Sequence, residues 1–414
     1  MSRSVRHGQS HASLLRDVSS SYVSPSRSRL DAIVVPAARP ASALQNIIDL
    51  SADVSVPLVI LCSRQASVDQ VAERVEKTLG AHALVVEVPL GYELPQDEQH
   101  TSARFFREAL ADRSSDLSTK RNIGLLLGRL RGWRKILFVD DDISHLRPVD
   151  IGRLTSMLDR HPVASMSTRR FPDNSVVCHA RRLAGFEQDV FVSGAVLGVQ
   201  LQHSSLSFFP DIYNEDWFFF ARRAAGRCLP KVGEVRQLAY DPYADQQRAA
   251  REEFGDLLAE GLYALFDTDP GLDFDEQMAI AAKASYWREF KEVRLETIQA
   301  TLDGLWQAQF RDEIILDPRV VNAEDALHIA EKQTTSISAE LCVDYLDGWL
   351  QDERSWQKHL QDLDHGIDER YALAELELTT WTSCGYGAKV LSARPQTQPQ
   401  PAVAIAAGRY EEAV

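Results

Sequence analysis

The sequence predicts an α/β fold, a mostly parallel sheet with flanking helices, followed by a C-terminal α-helical appendage. Three features carry that expectation. From Leu30 onward, short β-branched runs alternate with segments of helical periodicity, the pattern of strand, helix, strand units whose strands are covered on both faces. A buried-looking run, KILFV at 135–139, ends abruptly in Asp140, Asp141 and Asp142. Beyond Tyr240 the texture turns to long helical periods rich in acids.

The elements follow in order. Residues 31–36 (DAIVVP) read as the first strand, 57–62 (PLVILC) as the second and 83–88 as the third. Apolar residues at helical spacing make 41–52 and 67–79 the crossovers between them, while the polar stretch 90–118 is expected to loop over one edge. Ser118 is placed to cap a helix whose apolar face is Ile123, Leu126, Leu127 and Leu130, and Gly132 ends it. Residues 163–166 and 191–199 read as strands and 214–225 as a helix. Nine acids and one base between 251 and 276 read as a solvated face. Long helical periods continue through Tyr286, Phe290, Tyr345, Trp349 and Trp356. The expected organisation is a disordered arm at 1–29, a sheet domain at 30–250, the helical appendage at 251–385 and a disordered tail at 386–414. The tail is Pro, Gln and Ala rich from Arg394. The arm, with five arginines, many serines and Asp17 as its one acid, overlaps in composition with organelle transit peptides but lacks the apolar core of a secretory signal.

Composition excludes several classes. A net charge of −15, from 45 Lys and Arg against 60 Asp and Glu, argues against a nucleic-acid partner. No apolar run approaches the roughly 18 residues of a transmembrane segment. Five scattered cysteines without a CxxC pair indicate neither a disulfide framework nor a zinc cluster and fit a cytoplasmic protein. A homo-oligomer, if formed, is expected to use the helical appendage.

The chemistry concentrates at the carboxyl ends of the predicted strands, where a parallel sheet has its binding crevice. Three adjacent carboxylates repel one another, so a positive group is expected beside them, either a divalent cation or a basic side chain. Hard oxygen ligands suit Mg²⁺ or Mn²⁺. Alternation along an extended chain points Asp140 and Asp142 into the crevice and Asp141 away. A second acidic site, Asn214, Glu215 and Asp216, precedes an aromatic run from Trp217 to Phe220. Partly desolvated carboxylates there suit a general base. Asn214 as helix cap, with two acids near the positive helix end, is the structural alternative.

The ordered set of a first strand ending in Pro36, the Arg121-Asn122 helix, ILFVDDDI, the small-residue segment Val192-Ser193-Gly194-Ala195 and Asn214-Glu215-Asp216-Trp217 resembles the nucleotide-sugar glycosyltransferases of the Rossmann-like GT-A fold, especially the large family 2-like group. The resemblance covers roughly residues 30–240. It implies a hexosyltransferase-type enzyme that moves a sugar from a nucleoside-diphosphate sugar to an acceptor hydroxyl. Asp140 would contact the ribose or the metal, and Asp142 would ligate Mn²⁺ or Mg²⁺ on the diphosphate, with Asp141 among the donor-binding residues. Pro36 to Arg39, Ser63 and Arg64 would hold base and ribose, and Arg121 with Asn122 would lie near the diphosphate. Ser193, Gly194 and Ala195 would approach sugar and acceptor, and Glu215 and Asp216 match the acidic pair that supplies the base. The histidine metal ligand that many relatives carry has no counterpart in residues 235–242, where Gln237 or Asp241 stands in its region. Residues 171–179 (FPDNSVVCH) look like a subgroup feature without an assigned role.

Three rivals differ in class. A haloacid-dehalogenase-type phosphatase also places D-x-D after a hydrophobic strand, but usually the first of its domain. A nucleotidyltransferase typically opens with a Gly-rich basic loop, which PAARP is not. A degenerate nucleotide-sugar-binding or scaffold protein would keep the crevice without the turnover.

Overall fold

The computed structural model describes residues 11–19, 26, 29–95, 100–101, 106–169, 171, 174–187, 191–311, 318–386 and 391–393. Its strands are β1 (Leu15–Asp17), β2 (Ala32–Ala37), β3 (Leu58–Cys62), β4 (His82–Glu87), β5 (Lys135–Val139), β6 (Ile143–Ser144), β7 (Val163–Arg169), β8 (Val192–Gln200), β9 (Leu229–Gln237), β10 (Trp381–Gly385) and β11 (Leu391–Ala393). They form one sheet in the order β1-β9-β7-β8-β5-β2-β3-β4-β10-β11, with β6 beside β9. Most strands run in one direction, and β6, β8 and β10 run against them.

The helices are α1 (Gln45–Val54), α2 (Val68–Lys77), α3 (Leu117–Leu130), α4 (Pro148–Met157), α5 (Val176–Leu183), α6 (Glu215–Ala225), α7 (Arg248–Thr268), α8 (Phe274–Ala281), α9 (Ala284–Arg311), α10 (Pro318–Ser336), α11 (Ala339–Asp362) and α12 (Glu369–Glu375). Side-chain alternation along the strands divides the core between the two faces of the sheet. Ile33, Val35, Ile60 and Leu137 join α1, α2 and α4 on one face. Ala32, Val34, Leu61 and Phe138 join α3, α6, α7 and α11 on the other. The C-terminal helices are therefore no appendage: Phe254, Tyr345 and Trp349 share a continuous core with β2 and β5.

Other expectations are also corrected. Residues 11–18, placed by sequence in a disordered arm, are docked: β1 pairs in parallel with β9, and Leu14 is fully buried. The region 251–385 ends in a strand, since β10 pairs antiparallel with β4, and β11 continues it within the expected tail. The residues from Arg394 onward lie outside the described set. Ser118 does not cap α3; Asp116 holds that position, and the Ser118 hydroxyl donates to the Pro210 carbonyl at 2.8 Å. The acidic run of α7 is not a solvated face. Glu252, Glu253, Asp256 and Glu260 are buried, and Arg294 donates to Glu253 at 2.9 and 2.8 Å and to Asp256 at 2.6 Å. No helix among the described residues is long and apolar enough to cross a membrane.

The arm is anchored by His11, which meets Asp267 at 2.6 Å and Glu260 at 3.1 Å in a box formed by Phe191, Trp217 and Tyr263. Burial works to lower its pKa, but hydrogen bonds to Asp267 and Glu260 and their charges outweigh that and raise it from 6.5 to about 9. A raised folded-state pKa means stabilisation that is complete below pH 6.5 and lost as the pH rises through about 9. The stability deficit of His11→Ala, measured by urea unfolding, is therefore expected to be largest below pH 6.5 and to shrink above pH 9. A pH-independent deficit would contradict the imidazolium anchor.

Candidate functional site

Four strands deliver the predicted residues to one edge. β2 runs on into Ala38 and Arg39, β3 into Ser63 and Arg64, and β5 into Asp140. Because β8 is antiparallel to β5, its first residues, Ser193, Gly194 and Ala195, reach the same edge, where the Asp140 N–H donates to the Ala195 carbonyl at 2.9 Å. The amino end of α6 brings Glu215 and Asp216 to them, tied by the Gly194 N–H donating to Asp216 Oδ2 at 2.5 Å. Asp216 Oδ1 accepts from the Trp217 N–H at 2.9 Å.

Arg121 of α3 is the centre of this edge. Its side chain is 2% exposed, donates through Nη1 to Glu215 Oε1 at 2.5 Å, and through Nη2 to both oxygens of Asp140 at 3.0 and 3.1 Å. Burial works against its charge, but Asp140, Glu215 and Asp216 more than compensate, so its pKa is raised above the ordinary arginine value. The Phe209 ring lies 5.5 Å from the guanidinium. Both amide atoms of Asn122 bind the Phe209 backbone, at 2.8 and 2.9 Å. Asn122, expected near the diphosphate, thus holds the ring beneath Arg121.

The three aspartates do not divide by alternation, because the chain turns after β5. Asp140 goes to Arg121, whereas Asp141 and Asp142 share Arg39: Nη1 donates to Asp141 Oδ1, and Nη2 lies 3.0 Å from Asp142 Oδ2. The Ala38 and Arg39 N–H groups donate to Asp141 Oδ2 at 2.7 and 2.9 Å, so Asp141 shapes the loop after β2. Burial would lower the Arg39 pKa, but Asp142 and Asp141 raise it. The positive groups expected beside the carboxylates are thus present as arginines.

Gln237, the last residue of β9, donates through Nε2 to Asp142 Oδ2 at 3.2 Å, and its Oε1 is buried without a hydrogen-bond partner. Asp241 instead accepts from the Tyr243 N–H at 2.9 Å. Among the described residues, no group of three or more His, Cys, Asp or Glu side chains is arranged to hold a metal. The donor types nonetheless fit a hard cation of the Mg²⁺ or Mn²⁺ kind, which is commonly held by one or two carboxylates with substrate phosphates and water completing the shell. Asp142 and the orphaned Gln237 oxygen are the residues suited to it.

Several predicted residues have other tasks. Pro36 is buried inside β2, where pairing with β5 has already ended at Val34↔Phe138, so its missing N–H interrupts no ladder bond. Arg64 has a left-handed backbone (φ 54°), and its guanidinium donates to the Ser114 carbonyl at 3.1 Å. Asn214 stands at the α6 cap position, but its amide donates to Asp256 at 3.0 Å instead of capping the helix. The void at Gly194 is filled by Arg121, since a Cβ there would lie 2.5 Å from Nη1. In the unassigned 171–179 stretch, Pro172 and Asp173 lie outside the described residues. The Phe171 ring stacks on His179 at 4.9 Å, and burial pushes the His179 pKa down to about 3.

Sequence reasoning missed Lys120 as a site residue. Fully buried, it donates to the Ala37 carbonyl at 2.8 Å and to Ser63 Oγ at 2.6 Å, fastening the ends of β2 and β3 together. Its signal was available: Lys120 continues the apolar stripe of Ile123, Leu127 and Leu130, where a cation requires buried acceptors.

No protein-family model and no curated protein sequence matches the chain. Among solved structures, similarity is found to glucosyl-3-phosphoglycerate synthase from Mycobacterium tuberculosis in complex with Mn²⁺, uridine diphosphate and glucosyl-3-phosphoglycerate. There the identity is 18% over 56% of this chain and 80% of that one, with a TM-score of 0.33. A second structure of that enzyme, with Mn²⁺, uridine diphosphate and phosphoglyceric acid, matches at 16% identity over 57% and 79%, also with a TM-score of 0.33.

The packing of Arg121 against Gly194 gives a direct test. Gly194→Ala is expected to force the guanidinium off its carboxylates and to destabilise the fold by about 1–3 kcal/mol in urea unfolding. Unchanged stability would show that Arg121 is not held as described.

Proposed function

We propose that the chain is a GT-A-type glycosyltransferase that moves a sugar from a nucleoside-diphosphate sugar to an acceptor hydroxyl, with Mn²⁺ or Mg²⁺ at Asp142 and Gln237. The observation that carries this reading is the convergence on buried Arg121 of Asp140, from the end of β5, and Glu215, from the start of α6. That convergence brings cationic groups and an independently held carboxylate, Asp216, to one edge of the sheet.

The chemistry follows from charge. The bond between the anomeric carbon and the diphosphate breaks with its electron pair passing to the diphosphate oxygen, and negative charge grows there. Arg39, 40% exposed at the edge, is the side chain placed to meet that charge. The fixed positive charge of Arg121 adds to the local potential from behind. The bound cation would supply further neutralisation of the leaving group. The acceptor oxygen attacks the anomeric carbon, and its proton passes to Asp216, whose carboxylate is aimed by two backbone N–H groups. Ser63 and the loop 36–39 would contact base and ribose.

A second reading, a nucleotide-sugar-binding protein without turnover, is favoured by one observation: Arg39 already occupies the carboxylates of Asp141 and Asp142. Thermal unfolding with uridine, guanosine, adenosine and thymidine diphosphates, with and without Mn²⁺, tests both. Stabilisation that requires Mn²⁺ supports the nucleotide site, release of diphosphate from the matching sugar donor selects the transferase, and no stabilisation by any nucleotide removes both readings.

Two substitutions refine the roles. Asp142→Asn should abolish Mn²⁺-dependent stabilisation and donor turnover in a protein that still folds; full activity would overturn the metal assignment. Asp216→Asn should lower kcat by about 10²-fold or more with the donor KM little changed. Loss of the fold would instead assign Asp216 to the β8–α6 junction alone.

A further inference from the structure

Beyond the candidate edge, the carboxyl end of α6 opens onto a cavity of about 480 Å³ between β7, the loop 205–207 and α11. Its apolar wall includes Val163, Leu206 and Phe219. Among its polar groups, the Ser207 side chain stands out: the residue is 5% exposed, and its Oγ is buried without a hydrogen-bond partner. An unanswered buried hydroxyl is costly, and a ligand acceptor would recover that cost.

The charges around it are unequal. Arg222 donates through Nε and Nη2 to Glu353 Oε2, at 3.0 and 2.7 Å, so the buried carboxylate is neutralised. Arg223 meets no carboxylate among the described residues; its Nη2 lies 3.4 Å from His203 Nε2. Burial first, and the charge of Arg223 second, push the His203 pKa down. His161 is likewise lowered by burial, then by Arg16, Arg223 and Arg160. Burial first, and the neighbouring arginine charge second, thus disfavour the protonated form of both histidines. The arginines lie in the last turn of α6, where they offset the partial negative end of the helix.

We propose that this cavity binds the phosphate monoester of a sugar-sized molecule, with Arg223 and Ser207 on the phosphate and Glu353 and Gln357 on the hydroxyls. A phosphate offers the several acceptor oxygens that a guanidinium and a hydroxyl require. The volume and the apolar wall accommodate a carbon body beside it. The site does not rest on the transferase reading: Arg223 stands roughly 10 Å along the helix from Asp216.

Calorimetric titration of the full chain with glucose 6-phosphate, fructose 6-phosphate and glycerol 3-phosphate tests the proposal. At least one should bind saturably to the unaltered protein. Arg223→Ala and Ser207→Ala should each weaken that binding about tenfold or more, while Asp142→Asn leaves it unchanged. Ser207→Ala removes a single oxygen, so it remains informative if Arg223→Ala fails to fold. No saturable binding of any of the three, undiminished binding in both cavity variants, or loss of binding in Asp142→Asn would each overturn the proposal.

Discussion

The guanidinium of Arg121 is the contact on which the candidate edge depends. A buried cation is costly unless paired and hydrogen bonded, and here the pairing is shared between Asp140 and Glu215, which come from different elements. Their convergence fastens α3, the end of β5 and the start of α6 into one unit. Gly194 leaves the space, Phe209 supplies the floor, and Asn122 fixes the floor in turn. Removing either carboxylate would leave buried guanidinium N–H groups without their acceptor, so four separate segments are constrained by one side chain.

A second layer of charge surrounds this centre. Arg39 links Asp141 and Asp142 at the open side, and Lys120 joins β2 to β3 beneath it. Asn214 connects the start of α6 to Asp256, which belongs to the buried pairing of Arg294 with α7. The surplus of acids in the chain is thus partly interior. Two carboxylates share each of Arg121, Arg39, Arg294 and His11, and the last two cations tie α9 and the N-terminal arm to α7.

The parts legible in the sequence were those governed by local pattern. β5 was read to the residue because four apolar positions after Lys135 end in three acids, and β2, β3 and β4 were displaced by about one residue. β9 was not read, because LPKVGEVRQ carries Pro, Gly and charges at strand positions and owes its conformation to pairing with β7, β1 and β6. The acids of α7 looked solvated because their partners, Arg294 and His11, are distant in sequence. The aspartate triplet was assigned by strand alternation, which ceases at the turn after Val139. Most of the residues singled out in the sequence come together at one edge, while their pairings, set by Arg39 and Arg121, belong to tertiary structure.

The central claim is that this edge receives a nucleoside diphosphate with a divalent cation. Diffraction from crystals grown with uridine diphosphate and Mn²⁺, recorded with the anomalous signal of manganese, addresses it most directly. The expected result is manganese bonded to Asp142 and Gln237, with the diphosphate beside Arg39. A diphosphate bound away from this edge, or manganese bound elsewhere while Arg39 still holds Asp142, would contradict it.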